Sequence, residues 1–395
     1  MSPDVRDLRL AAALLLLGLA LAAPAEVAAQ SSIFGVRGLG LPGRPLTPRS
    51  RATGGSFGLF DPESDLNPAA LASQSAVTAG FVLTPSRRRW ESPAGSSSIR
   101  ETRFPLMYVG GPIPGSRIGL AVAIGSYADR DFRLASTGSV TIRGQQVEVT
   151  DTLGSVGGLN EVRLAGGLAL GSKTSIGGGL YFITGSSRQD ARRHFADTSF
   201  IAIRQTAELS YSGLGFSVGV THQLTPGIRL AALVRSDTRA KVDVDSTHAF
   251  NIDLPYTFAA GVQIKGSRRL AVALSGAFRT WSGANSDLQA QGSPGSRNTF
   301  ELSAGGELTR NLRRPTKLPV RLGVRYAELP FPVAVGGKPR EFGISAGTGT
   351  RFAQERGGID LSLEQVWRSE GSNYKERALT LILGLSIRPY GETRR

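Results

Sequence analysis

Apolar residues alternate with polar or small ones along fourteen short segments of this chain. In one of them Arg321, Gly323 and Arg325 alternate with Leu322, Val324 and Tyr326. Leu379, Leu381, Leu383, Leu385 and Ile387 repeat the pattern in the last segment, and Leu270, Val272, Leu274 and Phe278 in a central one. A period of two predicts strands with two unlike faces. The segments are 75–83, 104–111, 118–127, 159–170, 175–184, 209–223, 228–235, 254–264, 270–281, 299–308, 318–326, 342–352, 359–367 and 378–387. Tight turns join some of them, at 115–117, 171–173, 225–227, 266–268 and 356–358, with 310–317 a longer member of the set. Longer polar stretches join the others, at 85–103, 137–157, 188–205, 239–250, 283–298 and 331–341. Loops of one length class on each side, with an even strand count, predict an all-β, 14-stranded antiparallel transmembrane β-barrel. Its short turns and both of its ends face the periplasm. A soluble sandwich would pack one inner face on another, and would give no reason for sorting loops by length.

The beginning of the chain reads as an export signal. Arg6 and Arg9 precede an apolar stretch, 10–22, too short to span a bilayer as a helix. Small residues at Val27-Ala28-Ala29 offer a cleavage site before Gln30. Residues 1–29 are therefore expected to be a signal peptide, and the mature chain to reside in the outer membrane of a Gram-negative-type bacterium. Residues 30–73 are rich in Gly, Pro and Arg and carry little periodicity. The barrel is expected over 74–390, with 391–395 as a periplasmic tail.

Composition changes the picture in two ways. With no Cys in 395 residues, disulfides, thiolate metal sites and an acylated N-terminal cysteine are excluded. A formal charge of +15 would suit a nucleic-acid partner in the cytosol. An exported chain does not meet nucleic acid at its working place. The basic residues are also spread out, as Arg87-Arg88-Arg89, Arg268-Arg269, Arg313-Arg314 and Arg394-Arg395. They are expected to meet anionic outer-membrane lipid or lipopolysaccharide at the rims.

Charges within the strands point to the lumen, because Arg or Lys on the lipid face near mid-membrane costs roughly 2–4 kcal/mol. Val162, Leu164, Leu168 and Leu170 are expected to face lipid, with Glu161 and Arg163 inward beside Ala165 and Ala169. Arg229, Arg321, Arg325, Asp360 and Glu364 are expected inside as well, with Ser362. They could line a substrate path or form a wet structural network.

The usual chemical motifs lack their context. Gly38-Leu39-Gly40-Leu41-Pro42-Gly43 follows no strand, and Pro42 obstructs a helix start. Residues 166–174 miss the phosphate-loop spacing by one. His194, His222 and His248 are scattered, and nothing places a base beside a nucleophile, so no enzyme is expected. Asp243 and Asp245 could hold Ca²⁺ weakly from a loop. No cofactor or metal is expected.

The order of motifs resembles the long-chain fatty-acid transporter (FadL/TodX-type) family of outer membranes. Gly54-Gly55-Ser56-Phe57 followed by Asn67-Pro68-Ala69-Ala70-Leu71 is similar to the family's Gly-Gly-Ala-Phe and Asn-Pro-Ala-Gly-Leu. The hairpin 213–236 around Thr225-Pro226, Leu254-Pro255, Trp281-Ser282 and the run from Arg321 to Pro332 resemble later landmarks. The resemblance implies that 30–73 folds back as an N-terminal plug, with Asn67, Pro68 and Ala69 at the plug-to-barrel junction. It also implies a monomer that passes a hydrophobic small-molecule ligand, such as a long-chain fatty acid, across the outer membrane. Release would follow plug movement or use a lateral opening between strands. Related barrels serve in secretion, shuttling or surface anchoring. The chain departs from the family in its short polar loops at 188–205 and 239–250, in a basic insertion at 44–51 and in the absence of a final aromatic after Tyr390.

Overall fold

The computed structural model describes residues 32–389 except Asp65 and Ala94. The expected signal peptide and the 391–395 tail lie outside the described residues, as does Tyr390. Fourteen antiparallel strands close into one barrel. They are β1 (Thr78–Ser92), β2 (Gly95–Pro112), β3 (Ile118–Asp129), β4 (Gln145–Leu170), β5 (Thr174–Phe195), β6 (Ile203–Thr225) and β7 (Ile228–Asp237). Then follow β8 (Tyr256–Lys265), β9 (Leu270–Arg279), β10 (Thr299–Leu308), β11 (Val320–Glu328), β12 (Arg340–Phe352), β13 (Gly357–Glu370) and β14 (Tyr374–Ile387). The ring closes where β14 pairs with β1, from Ile387↔Ala79 to Lys375↔Glu91.

Each predicted strand has its counterpart, but four of the predicted polar loops are largely strand. Residues 85–103 continue β1 and β2 into a tall hairpin. Residues 145–155 of β4 pair with an added strand, Phe132–Ile142. β5 and β6 run on to Phe195 and from Ile203, and 240–244 with 247–252 form a hairpin edged onto β6. Polar alternation above the membrane no longer marks one face as apolar, so these extensions read as loops. β9 stops at Arg279, not at 281, and Trp281 begins a short 3₁₀ turn.

Period two is expressed as lipid against lumen. On β11, Leu322 and Val324 are exposed while Arg321 and Arg325 are buried. On β4, Leu164, Leu168 and Leu170 are exposed, while Glu161 and Arg163 are buried. With no aqueous core on the outside, the exposed apolar band is solvated by hydrocarbon.

The plug segment occupies the lumen through short pieces. Thr47 caps a helix at Pro48–Ala52, and its side chain accepts from the Ser50 N–H. Pro at the first helical position costs no hydrogen bond there. Asp61 accepts from the hydroxyls of Thr47, Ser50 and Ser64, which knots this part of the segment together. Phe57, Leu59 and Phe60 pack on Ala231, Leu233 and Ala273 of the wall.

Two glycine rows make the seats. Gly119, Gly167, Gly177 and Gly219 pair in turn across β3, β4, β5 and β6. A Cβ at Gly177 would lie 2.4 Å from the backbone N of Ala69, and one at Gly219 would lie 1.9 Å from Asn67 Oδ1. Gly305 and Gly323 do the same under Thr53 and Gly54 on the opposite wall. Side chains at these inward positions would hold the segment away from the wall.

We expect Leu322→Arg to lower folding stability in lipid by about 2–4 kcal/mol, read from urea unfolding of the barrel in vesicles. Gly219→Val should spare the barrel but expose residues 66–73 to protease in limited digestion of the folded protein.

Candidate functional site

Asn67, Pro68 and Ala69 sit where the segment turns onto the first glycine row. Asn67 Oδ1 accepts from the Ala69 N–H at 3.1 Å, and its amide donates to the carbonyls of Leu59 and Val220. Pro68 starts the 3₁₀ turn Pro68–Ser73. The three residues are fully buried or nearly so, and present the wall with a fixed backbone.

The charged residues on the inner face form a connected belt. It begins at Arg279 on β9, which donates to Glu301 on β10 at 2.9 Å. Arg325 on β11 joins Glu301 to Glu341 on β12. Arg368 on β13 joins Glu341 to Glu376 on β14. Arg88 on β1 lies between Glu376 and Glu101, and on β2 Arg103 continues from Glu101 to Asp129 at the end of β3 and to Asp131 beyond it. Alternating charges thus cross nine consecutive strands. On the remaining arc Glu161 receives Arg163 and Arg235, and Arg235 also meets Asp237. Nearer the short turns, Arg321 joins Glu307 to Asp360 at 2.7 and 2.6 Å.

The plug is tied into this arrangement. Glu364 on β13 receives both Arg44, at 2.5 Å, and Arg51. Arg49 meets both oxygens of Glu307, at 3.0 and 2.8 Å. Burial pulls the Arg51 guanidinium down to about 10 against the attraction of Glu364, so it stays charged at neutral pH. Burial would lower Arg49 too, but Glu307 and Asp61 together hold it above its ordinary value. The basic insertion at 44–51 is the plug's set of anchors.

Of the sequence-derived residues, Glu161 and Arg163 share one ion pair, Arg321 and Asp360 another, and Arg325 and Glu364 sit apart in the network. Arg229 stands outside it. Its guanidinium lies 5.9 Å from the Phe60 ring and 3.3 Å from the Thr221 hydroxyl, at the edge of a polar cavity of about 730 Å³ on the turn side. Sequence reasoning missed Glu301, Glu307, Arg368 and Glu376, although each falls at an inward parity position of a predicted or extended strand. Glu341 falls in the 331–341 stretch, whose sequence predicts a loop. Asp243 meets Lys241 and His248, and Asp245 accepts from the Glu208 N–H.

Two further features bear on passage. The outer mouth is covered by an apolar cluster in which Leu39 of the plug meets Trp281, Leu288, Phe331 and Leu254. The wall is broken between β2 and β3. Their pairing runs from Pro112↔Gly119 to Leu106↔Gly125 and stops, though both strands continue. Above that point the plug takes β2's place: Leu41 and Pro42 pair with Asp129 and Ala128, and the Gly43 N–H donates to the Tyr127 carbonyl at 2.8 Å. Pro105, on the other lip, has no N–H to offer. A cavity of about 310 Å³ reaches from this break, at Phe104 and Pro105, to Arg51 and Glu364 inside.

Fold and lumen together define a plugged outer-membrane β-barrel. The BamG family model, one of outer-membrane barrels, matches residues 10–249, more than half of the chain, and the protein belongs to that family. No curated protein matches the sequence. Among solved structures, a FadL homologue from Pseudomonas aeruginosa superposes with TM-score 0.62 at 12% identity, covering 89% of this chain and 100% of its own. The CymD monoaromatic hydrocarbon channel gives 0.58 at 17% identity, covering 88% and 98%. The toluene transporter TbuX of Ralstonia pickettii gives 0.55 at 12%, covering 87% and 98%. At these identities the likeness is one of fold.

Replacing Glu364 by Gln leaves Arg44 and Arg51 buried without a charge partner. Breaking a buried pair this way costs roughly 3–5 kcal/mol. We expect the plug, not the barrel, to give way. Single-channel recordings should show openings absent from the wild type, while the heat-modifiable mobility of the folded barrel persists.

Proposed function

We propose that this protein passes a small hydrophobic molecule with a polar end across the outer membrane, passively and without covalent change. A long-chain fatty acid fits that description. The break between β2 and β3 carries the reading, because it joins the lipid-facing surface to an interior cavity and is filled by a movable strand of the plug. The outer mouth is packed with apolar side chains, so passage would use the side route once that strand lifts. Arg103 and Asp129 border the break, so a ligand's polar end would stay hydrogen-bonded there while its apolar part remains in lipid. Withdrawal of Leu41–Gly43 would widen the passage toward the polar cavity on the turn side. The solved structures similar in fold include channels for aromatic hydrocarbons, which supports this direction. Chemistry on the ligand finds no support in the histidines. His194 contacts the Phe195 carbonyl, His222 the Thr174 hydroxyl and His248 the Asp243 carboxylate. The protein would act as a monomer with no cofactor.

One observation favours a second reading, a sealed barrel that serves secretion, shuttling or surface anchoring. The belt of ion pairs spans nine strands, and among the described residues the cavity below the plug is lined mainly by polar groups, so an apolar ligand finds no continuous apolar path along the axis.

The chain lacks Cys, so a cross-link can be placed without background. In the Pro42→Cys/Ala128→Cys variant the two positions are register partners. Uptake of labelled oleate into liposomes holding the folded wild-type barrel should exceed that of empty liposomes. Oxidising the variant should slow it at least tenfold, and reductant should restore it. Equal uptake by the oxidised variant would remove the side route. No uptake by folded wild type, with residues 30–73 present or deleted, would favour the sealed barrel.

A further inference from the structure

Inward arginines of this barrel have carboxylate partners almost without exception, whereas a group of outward ones does not. On the outer face of β14, β1 and β2, Lys375, Arg377, Arg87, Arg89 and Arg100 are all exposed. Arg89 and Arg377 are direct register partners, and so are Arg87 and Arg100. Like charges placed opposite each other in a sheet destabilise it. Among the described residues the acid near them is Glu91, 3.9 Å from Arg89 and the register partner of Lys375, with the Arg89 and Glu91 side chains largely in solvent. Arg87, Arg100, Lys375 and Arg377 have no ion-pair partner among the described residues. Arg88, between two of these residues in sequence, points inward and meets Glu101 at 2.6 Å.

Their height is fixed by their neighbours. On β14 the outward residue below Arg377 is Leu379, and on β2 the apolar face ends at Phe104, two outward positions below Arg100. Trp367 on β13 is the register partner of Arg377 and stacks on Phe342 of β12 at 6.0 Å. Aromatic residues of this kind mark the membrane–water boundary of a barrel. The basic group therefore begins where hydrocarbon ends, on the side away from the short turns. On β4, β5 and β6 the register row just above Val162, Phe182 and Leu214 presents Asn160, Thr184 and Ser212 outward. Exposed basic residues on β5 and β6 differ in having acids at hand: Arg192 and Arg204 meet Asp190, and Arg188 is the register partner of Glu208.

We propose that this face binds the phosphorylated headgroup of an outer-leaflet lipid. Arginines held on adjacent strands can grip phosphate oxygens in pairs, and an anion between Arg89 and Arg377 removes the repulsion built into the sheet. The acyl chains of the same lipid would lie along Leu379, Met107 and Phe104. The site is on the outer wall and acts whether or not the lumen conducts.

The test uses the full-length folded barrel in detergent, with bis-phosphorylated lipid A added and binding read by native mass spectrometry. The Arg87→Ser/Arg89→Ser/Arg100→Ser/Arg377→Ser variant should bind at least tenfold more weakly than wild type. Wild type should lose a similar factor when the lipid A is dephosphorylated. A control that removes four charges at the periplasmic turns, Arg268→Ser/Arg269→Ser/Arg313→Ser/Arg314→Ser, should bind as wild type does. Heat-modifiable mobility checks that each variant is folded. Unchanged binding by the first variant, equal loss by the control, or indifference to the lipid phosphates would each overturn the proposal. Displacement of the lipid by millimolar inorganic phosphate alone would overturn it too, since the site would then select free phosphate.

Discussion

Glu364 accepts two arginines from a segment more than three hundred residues away, and the rest of the lumen depends on bonds of that kind. A charge inside a barrel is neither in bulk water nor in a packed apolar core. Removing it from solvent costs several kcal/mol unless an opposite charge with good geometry replaces the water. This barrel meets that demand by alternation. Arg325 lies between two glutamates, Glu341 between two arginines, and the pattern passes from strand to strand. Such a network confers geometry more than stability. Each member has to be where its neighbours require it, so the plug is held at one depth and one rotation.

The glycine rows solve the complementary problem. Ion pairs fix the plug at Arg44, Arg49 and Arg51, but long side chains span a gap and cannot make a seal. Where the wall carries no Cβ, the Asn67–Ala72 backbone comes into van der Waals contact with the strands. Glycine serves this purpose at inward positions such as Gly167 and Gly177, and makes turns at positions such as Gly115 and Gly171. A small residue facing lipid would leave a dent in the apolar band, and Gly178 lines just such a depression on the outer surface, among Leu120, Leu164, Leu180 and Val218.

Strand number, closure and the inward parity of Glu161, Arg321 and Glu364 were legible in the sequence because hydrocarbon enforces a strict two-residue period. The tall extensions of β1, β2, β4, β5 and β6 were not, because above the headgroups both faces of a strand meet water and alternation has no cause. The pairing partners of the lumenal charges were also hidden. Glu307 and Arg49 meet only after a plug of irregular backbone folds into a closed ring, and no local period reports on that. Parity alone would have placed Glu301, Glu307 and Glu376 inside. Their role as links in one chain needs the register between strands.

The wall break draws these threads together. A barrel normally has no free edge, since every strand is paired on both sides. Here Pro105 and the end of pairing at Leu106↔Gly125 create an edge on β3, and Leu41–Gly43 satisfies it with backbone bonds of its own. That substitution is weak by construction. Two paired residues and one further hydrogen bond hold the strand, and Pro42 contributes no donor. The anchors at Arg44, Arg49 and Arg51 begin within a residue of Gly43, so the strand can lift only as far as those ion pairs allow. A displacement of Leu41–Gly43 with Arg44 retained would open the side of the barrel while the anchored plug keeps the axis closed. The ion pairs that anchor the plug in the lumen would therefore also set the stroke of a strand that opens the wall beside it.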